Sequence, residues 1–363
     1  MKTLFVGDIC PTGDTSPCFE TGDVKTLFAD ALDIFRDRDL VFANVECAIT
    51  ESENKIAKFG ANLKAPINTA KVLSDIGVTV AGISNNHVFD FGREGALDTI
   101  KYLTEVGIDY TGFGENYEDS RKNYTFEKDG EKICIIAVCE HEYSYALDDR
   151  MGSRPFDEFE TIEDIREAKK THDRVIDAYH GGKEYCRYPS PRLMRACRAM
   201  VRNGADLVLC QHSHCIGTYE NYKGGHILYG QGNFNFVESV DTEIMKTGVA
   251  VCYDTKANTV EFIPTKTNEG SIGVQLVHGE EKENILSAFA ERSEKLKTGE
   301  WKSGWNEFCE RVKNTYLRNI ERACLETSSD RENATFGHYL DCEAHTDVWR
   351  ELFPTYNLTN EKD

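Results

Sequence analysis

Short apolar runs that stop abruptly at polar residues recur through the first 265 residues of the chain. In the clearest case, the run from Val78 to Ile83 stops at the sequence Ser-Asn-Asn-His (residues 84–87), and Asp90 then leads into a helical pattern. A buried strand of an α/β protein has this pattern, because open α/β sheets collect polar side chains at the carboxyl ends of their strands. Similar runs predict four more strands with polar ends, over 3–6, 40–46, 174–180 and 205–210.

Segments with helical periodicity alternate with these strands, as expected of an α/β fold. They predict helices over 23–37, 69–76, 95–106 and 190–201, the last with Ser190 as its N-cap. The charged, aromatic segment 140–159 is predicted to be a loop over the sheet. After about residue 280 the strand patterns cease, and three helices are predicted over 285–296, 305–325 and 336–353. We therefore predict an α/β domain over 1–275 and a helical appendage over 276–363.

The charge of the 363 residues argues against some classes of partner. The formal net charge is −20, whereas proteins that bind nucleic acid or an anionic lipid surface normally carry a basic patch. We therefore expect neither partner. An anionic substrate would need local positive charge, which a bound metal ion could supply.

Two features predict a cytoplasmic location. The thirteen cysteines, an odd number, are scattered in apolar runs, as buried reduced thiols are, and do not frame loops as in a disulfide scaffold. The first apolar run, Thr3–Val6, is too short for the core of a secretory signal. No window approaches the roughly 18 apolar residues that a membrane span needs, so none is expected.

The polar residues at the strand ends are of the types that bind metal ions. In a mainly parallel sheet these ends are adjacent, so we expect them to converge at one edge of one sheet. A single Asp or His in such a place is more often a cap or a satisfied polar residue, but the two rings of a His-x-His pair point to one side of a strand. Five coincidences together favour a metal site formed by Asp8, Glu46, Asn86, His180, His212 and His214.

The mixture of ligand types restricts the metal. Carboxylate, amide and imidazole groups together suit zinc, manganese or iron better than calcium or magnesium, which prefer oxygen ligands. The set is too large for one tetrahedral ion. It fits two divalent ions about 3.5–4 Å apart that share a bridging carboxylate and generate hydroxide.

The same motifs resemble a known family. In order and spacing, five segments are similar to the motifs of the capsule-synthesis CapA proteins: Gly-Asp at 7–8, Asn-Val-Glu at 44–46, and residues 84–92, 180–185 and 204–214. The segment 229–234 resembles the signature that closes the family's domain. These are poly-γ-glutamate-associated members of the calcineurin-like metallophosphoesterase superfamily. The resemblance covers about residues 1–265. It implies a four-layered α/β/β/α sandwich, which the helical appendage would extend.

The resemblance also implies a role for each site residue. The ligands would be divided between two ions, with Asp8 and His214 on one, Asn86, His180 and His212 on the other, and Glu46 bridging both. His87 would be the general acid that protonates the leaving group, oriented by Asp90. Hydroxide activated by the metals would be the nucleophile.

Three further features leave alternatives open. Cys10 stands where the wider superfamily has a histidine; its thiolate could ligate zinc or iron, but we favour a core cysteine. His338, Cys342 and His345, at i, i+4 and i+7, could bind zinc, but we favour one face of an amphipathic helix. The 140–159 loop, with His141, Tyr143, Tyr145, Arg150 and Arg154, could form a substrate wall in which an arginine would bind a carboxylate or phosphate, or it could simply be solvated.

Together these observations predict a metal-dependent hydrolase associated with poly-γ-glutamate or related capsule polymers. It would cleave a γ-glutamyl or related amide, or a phosphoester, in an anionic small molecule or polymer. The alternatives are a general phosphoesterase with a small cytosolic substrate, and a non-catalytic metal-binding partner in polymer synthesis. His87 beside Asn86 favours the enzyme, because a purely structural metal site needs no free acid, whereas Cys10 slightly favours the non-catalytic partner.

Overall fold

A computed structural model of the chain describes residues 1–236, 243–268, 270 and 272–354. The strands, in chain order, are β1 (Lys2–Ile9), β2 (Leu40–Val45), β3 (Ala48–Ile49), β4 (Lys64–Ala65), β5 (Val80–Gly82), β6 (Asp109–Thr111), β7 (Phe113–Gly114), β8 (Tyr124–Lys128), β9 (Glu131–Cys139), β10 (Gly152–Ser153), β11 (Arg174–His180), β12 (Leu207–Gln211), β13 (Tyr219–Tyr222), β14 (Gly225–Leu228), β15 (Asn233–Asn235), β16 (Thr247–Asp254), β17 (Thr259–Thr267) and β18 (Val274–Leu276).

The helices, in the same order, are α1 (Ser16–Thr21), α2 (Val24–Phe28), α3 (Thr69–Asp75), α4 (Gly92–Glu105), α5 (Tyr117–Ser120), α6 (Glu158–Lys169), α7 (Pro191–Arg202), α8 (Gly279–Thr298), α9 (Trp301–Ala323), α10 (Asp330–Asp341) and α11 (Glu343–Leu352). Short 3₁₀ turns lie at Gly13–Thr15, Ala29–Phe35, Glu142–Ser144 and Glu243–Met245. Within the described residues, no helix combines the length and apolar character that crossing a bilayer requires.

Most of the strands form two sheets that pack face to face. The order in the first sheet is β18-β17-β16-β1-β2-β5-β6, with β15 also pairing with β1, and β1, β2, β5 and β6 are parallel. The order in the second sheet is β13-β14-β12-β11-β9-β8, with β9, β11, β12 and β14 parallel. The first sheet therefore has antiparallel strands at one edge, and the second has a parallel centre with one antiparallel strand at each edge.

Alternation along the parallel strands produces three buried layers of apolar side chains. On β1, Phe5 faces the second sheet, whereas Leu4 and Val6 face the helices that cover the first sheet. On β11, Ile176 lies between the sheets, and Tyr179 packs under the helices that cover the second. Both faces of each sheet are covered, which explains the continuous apolar runs in the sequence. The predicted four-layered α/β/β/α sandwich is confirmed.

Several predicted elements are confirmed and two are wrong. The strand at 174–180 is found as expected, and the Ser190 hydroxyl accepts the Leu193 N–H at the start of α7. The helix predicted over 23–37 is interrupted, because the chain turns at Ala29 (φ 43°) and continues as a 3₁₀ turn. The helix predicted over 336–353 is also wrong. Its first part starts earlier, at a capping box of Ser329 and Glu332, and the chain is extended at Cys342 (φ −70°, ψ 126°).

The C-terminal helices pack on the α/β part through a buried polar network. The Nε of Arg192, in α7, donates to Asp347 of α11 at 3.0 Å, and the Ser190 hydroxyl donates to the same carboxylate at 2.6 Å. The other end of Arg192 pairs with Glu140, which follows β9. The last strand ends at Leu276 and α8 starts at Gly279. The division into two domains at 275/276 stays a prediction.

Candidate metal centre

The strand-end residues converge, but they come from two sheets and not from one edge of one sheet as predicted. The first sheet supplies Asp8 from β1, Glu46 after β2 and Asn86 after β5. The second supplies His180 at the end of β11, and His212 and His214 after β12. All six residues are buried. The correction has a simple topological reason: the carboxyl ends of the parallel strands of both facing sheets meet at the same end of the sandwich.

Amide side chains hold several of these residues in place. Asn44 Nδ2 donates to Asp8 Oδ1 at 2.7 Å and lies 3.2 Å from His180 Nδ1. On the other side of the same histidine, Nε2 lies 2.8 Å from Asn86 Oδ1. Asn233 Oδ1 lies 2.8 Å from His214 Nδ1. Amide contacts of this kind fix the rotation of imidazole rings, as the outer contacts of metal ligands do.

Glu46 lies at the centre of the arrangement. Its ligand atoms fall within 4.8 Å of those of Asp8 and His180 in one group, and of His212 and His214 in another. The shared carboxylate matches the bridging role that the family resemblance implies. His180 groups with Asp8 and His214 with His212, although His214 Nδ1 also lies 3.8 Å from Asp8 Oδ2. The division of ligands between two ions stays a prediction.

The unsatisfied atoms of the centre fit a cation. Among the described residues, neither carboxylate oxygen of Glu46 receives a hydrogen bond, and the buried Nδ1 of His212 has no partner. A buried carboxylate without a donor or a counter-charge is costly, so such atoms usually have an ion or water to satisfy them. Mixed carboxylate, amide and imidazole donors suit a divalent ion of the zinc, manganese or iron type.

The pKa values of the centre reflect burial and crowded charge. Burial, with a smaller contribution from Glu46, raises the pKa of Asp8 to about 7, and burial also raises the pKa of Glu46. Burial lowers the pKa of His180 to about 4 and the pKa of His212 well below its usual value. For His214, burial lowers the pKa, but Glu46 and Asp8 outweigh it and the net shift is upward. The lowered pKa values favour neutral His180 and His212, the protonation state in which imidazole binds a metal, whereas the raised pKa values mean that a cation would have to displace protons from Asp8 and Glu46.

His87 and Asp90 form a pair at the edge of the centre. His87 Nδ1 lies 2.7 Å from Asp90 Oδ2, and because a carboxylate only accepts, this nitrogen is assigned the proton. Lys58, whose side chain is completely buried, pairs with the other oxygen of Asp90 and donates to the Asn86 carbonyl at 3.0 Å. Burial and then Lys58 lower the pKa of His87, whereas Asp90 opposes them.

Sequence reasoning missed Lys58, and it named His141 only as part of a possible substrate wall and not as a neighbour of the metal ligands. His141 follows β9, and its ring centroid lies 4.2 Å from that of His212. The signal was present, because the apolar run of β9 ends in Glu140-His141 just as the other strands end in polar residues, but we assigned this segment to a loop. Lys58 lies in a segment without periodicity, and nothing in its local sequence distinguishes it from a surface lysine.

Cys10 and the two arginines are not members of the ligand groups of the described residues. Cys10 is buried with Cys47 as its side-chain partner and belongs to none of the ligand groups of the described residues. Arg154 is buried and pairs with Asp164, and Arg150 donates to the carbonyls of residues 143 and 145. The guanidinium groups therefore brace the 140–159 segment.

A cavity of about 130 Å³ opens above the centre. Its walls come from the strand ends of both sheets, from residues 59–63 and from the C-terminal helices. The lining residues include three of the candidate ligands, Asn86, His212 and His214, together with His87, His141 and Lys183. The helical appendage contributes His338, Cys342, Ala344 and His345.

The sequence of the α/β part matches a model of a known protein family. The model of the family described as "Bacterial capsule synthesis protein PGA_cap" matches residues 2–238. The chain belongs to this family. The helical appendage of this PGA_cap protein lies outside the matched residues.

Two relatives of this PGA_cap protein are named for their part in capsule or PGA biosynthesis. The "Capsule biosynthesis protein CapA" of Bacillus anthracis is 29% identical over 284 residues, which cover 75% of this chain and 68% of the relative. The "PGA biosynthesis protein CapA" of Bacillus subtilis (strain 168) is 32% identical over 240 residues, which cover 65% and 63%. The chain therefore spans about two thirds of the length of each relative. A hypothetical protein of Thermus thermophilus has a solved structure that matches with 17% identity and a TM-score of 0.41, over 77% of this chain and 96% of that chain.

Proposed function

We propose that this PGA_cap protein is a divalent-metal-dependent hydrolase that acts on an anionic substrate in poly-γ-glutamate or related capsule-polymer metabolism. The observation that carries the proposal is the position of Glu46, a buried carboxylate that is shared by two groups of metal-ligand atoms and lacks a hydrogen-bond donor among the described residues. The names of the relatives, which refer to capsule and PGA biosynthesis, support the link to a polymer.

The residues of the centre would hold two divalent ions of manganese, zinc or iron. The proposed ligands are Asp8, Glu46, Asn86, His180, His212 and His214. When bound, the ions would activate water as a nucleophile and polarise the bond that is cleaved. Asn44 and Asn233 would keep Asp8 and His214 in position, as outer contacts do in metal sites.

His87 is the proposed proton donor to the leaving group. Its Nδ1 is engaged by Asp90, and the Nε2 of this cavity-lining ring has no hydrogen bond to any described residue. Burial and Lys58 lower the pKa of this ring, so a nearby negative charge is needed to protonate it. An anionic substrate supplies that charge on binding, and Asp90 stabilises the imidazolium that results.

The residues support hydrolysis of a C–N or a P–O bond equally, because both need an activated water and an acid for the leaving group. The volume of the cavity favours a small substrate, or the end of a polymer chain, over the middle of a polymer. A general phosphoesterase with a small substrate is therefore the second candidate. The buried free cysteines are consistent with a reducing, cytoplasmic location, which stays a prediction.

The proposal is tested by comparing His87→Asn with His212→Ala. The full-length protein is reconstituted with manganese, its metal content is measured, and turnover is followed with p-nitrophenyl phosphate and a γ-glutamyl peptide. His87→Asn should lower turnover by roughly 10²–10⁴-fold and keep its metal, because it removes a proton donor and no ligand. His212→Ala should lose metal as well as turnover. His278→Asn, on the surface, is the control and should match the wild type.

The outcomes separate the candidate functions. Equal loss of metal in both variants would remove His87 from the role of acid. Full metal content without turnover of either substrate would favour the non-catalytic partner over the enzyme. A wild-type protein that binds no metal after reconstitution would refute the proposal.

A further inference from the structure

A second group of metal-ligand side chains lies where α10 meets α11. His338 is near the end of α10, Cys342 occupies the extended position between the helices, and His345 lies in the first turn of α11. Their ligand atoms all lie within 4.8 Å of one another, and the three residues are buried. The group belongs to the helical appendage and not to the strand ends that form the candidate metal centre.

The break in the helix is what brings the group together. On one continuous helix, residues 338 and 345 would lie about 10 Å apart along the axis, at 1.5 Å per residue. Because the chain is extended at Cys342, the two imidazole centroids are instead 4.8 Å apart. The amphipathic-helix interpretation of this spacing is therefore wrong.

Each imidazole is held through one nitrogen, and the other has no hydrogen bond to the part of the chain that the structure describes. His338 Nδ1 lies 2.8 Å from Glu142 Oε1, a contact between residues that are 196 positions apart. His345 Nδ1 lies 2.6 Å from the hydroxyl of Tyr316. A histidine that binds a metal through Nε2 typically has its Nδ1 fixed by a carboxylate or another polar group in this way. Both rings are therefore oriented as metal ligands are.

The charge around the group favours a cation. Burial raises the pKa of the Cys342 thiol well above its usual range, and the carboxylates of Glu140 and Glu142 add to this shift because they disfavour a thiolate. The same negative charges attract a divalent ion, which would stabilise the thiolate. Lys183 and Arg192 are opposing positive charges, but the Lys183 ammonium is paired with Glu184 at 2.8 Å and the Arg192 guanidinium with Glu140, which leaves Glu142 as the carboxylate beside His338.

We propose that His338, Cys342 and His345 form a separate zinc site in the wall of the cavity. One sulfur and two imidazole ligands form a set that zinc prefers. Three protein ligands leave a fourth position open, and all three residues line the same cavity as His87 and His212. The ion therefore fixes the junction of α10 and α11 and presents a positive charge to an anionic group in the cavity.

The test detects a bond between metal and thiolate, because the ligand groups of the candidate metal centre contain only carboxylates and imidazoles. Full-length wild-type protein is stripped of metal and titrated with Co²⁺, whose bond to a thiolate gives a charge-transfer band in the near ultraviolet. Bound zinc is counted in a parallel titration. The variants are Cys342→Ser, the matched control Cys324→Ser at the exposed end of α9, and Cys10→Ser, which removes the other candidate thiolate.

We expect Cys342→Ser to lose the band and to bind one zinc fewer per chain than the wild type, whereas Cys324→Ser and Cys10→Ser keep both. His345→Gln should also bind one zinc fewer, which gives a second variant if Cys342→Ser folds poorly. The test compares the zinc bound per chain by variant and wild type, and a difference of one ion supports the proposal even if the proposed two-metal centre is wrong. A wild-type spectrum without the band, a band that is lost only in Cys10→Ser, or equal zinc in wild type, Cys342→Ser and His345→Gln would overturn the proposal.

Discussion

Asp177 offers a direct test of how the core of this protein handles a buried charge. It lies on β11, the central strand of the second sheet, and it is completely buried. Among the described residues, neither of its carboxylate oxygens has a hydrogen-bond partner. Burial raises its pKa to about 7, although the guanidinium of Arg154 partly opposes this. The native protein therefore holds Asp177 in its neutral form below neutral pH.

The size and sign of the effect on stability follow from the difference between the pKa of Asp177 in the folded chain and its pKa in the unfolded chain. The ordinary pKa is 3.8, so the shift to about 7 corresponds to about 4 kcal/mol at 1.36 kcal/mol per unit. Because the folded state binds the proton more tightly, this contribution is fully present below the unfolded pKa and is lost as the pH rises through about 7. About 3 kcal/mol of it should be lost between about pH 5 and pH 8.

Asp177→Asn replaces the titrating group with one that is neutral at every pH. The free energy of unfolding of variant and wild type is measured by urea denaturation at intervals between pH 5 and pH 8, with the same metal content. The difference, variant minus wild type, should increase by about 3 kcal/mol across this range. Asp148→Asn, on an exposed part of the 140–159 segment, is the control for other effects of the substitution.

A difference between Asp177→Asn and wild type that stays flat with pH would refute this reasoning. It would mean that Asp177 is ionised in the native protein and is solvated or paired in a way that the burial of β11 does not allow. If the free energy of unfolding, variant minus wild type, instead falls as the pH rises, folding lowers the pKa of Asp177 and does not raise it.

Two further predictions concern buried ion pairs. Asp347→Ala should lower the free energy of unfolding by about 3–5 kcal/mol, because it leaves Arg192 buried with a single carboxylate. Urea denaturation measures this loss. Limited proteolysis should also cut α11 earlier in the variant than in the wild type. Unchanged stability would show that the tail does not depend on this network. Lys58→Met should destabilise the protein by a similar amount, because Asp90 then loses its lysine counter-charge and keeps only the His87 ring and the Leu63 N–H as partners among the described residues. Thermal unfolding at pH 7 measures it, and a Tm equal to that of the wild type would contradict the assigned pair.

The strand ends were predictable from the sequence because the signal is local. A run such as 78–83 is mainly apolar and is followed at once by polar residues, and that pattern is imposed by burial on both faces of a sheet. The ligand types at Asp8, Glu46 and His180 were visible for the same reason. What the pattern does not contain is which strands pair, so five strands that belong to two facing sheets were assigned to one. His141 shows the cost of a wrong boundary, since the polar residues directly beyond the apolar run of β9 were treated as loop.

The cluster in the tail depends on contacts that no local pattern records. The i, i+4, i+7 spacing of His338, Cys342 and His345 fits a helix face, and periodicity alone favours that interpretation. The chain breaks at Cys342 because tertiary contacts on both sides hold it: Glu142 binds His338 before the break, and Arg192 binds Asp347 after it. Both partners come from the α/β part, far away in sequence. The same residues that dock the tail therefore create the cluster, and a tail detached from the α/β part should not form it.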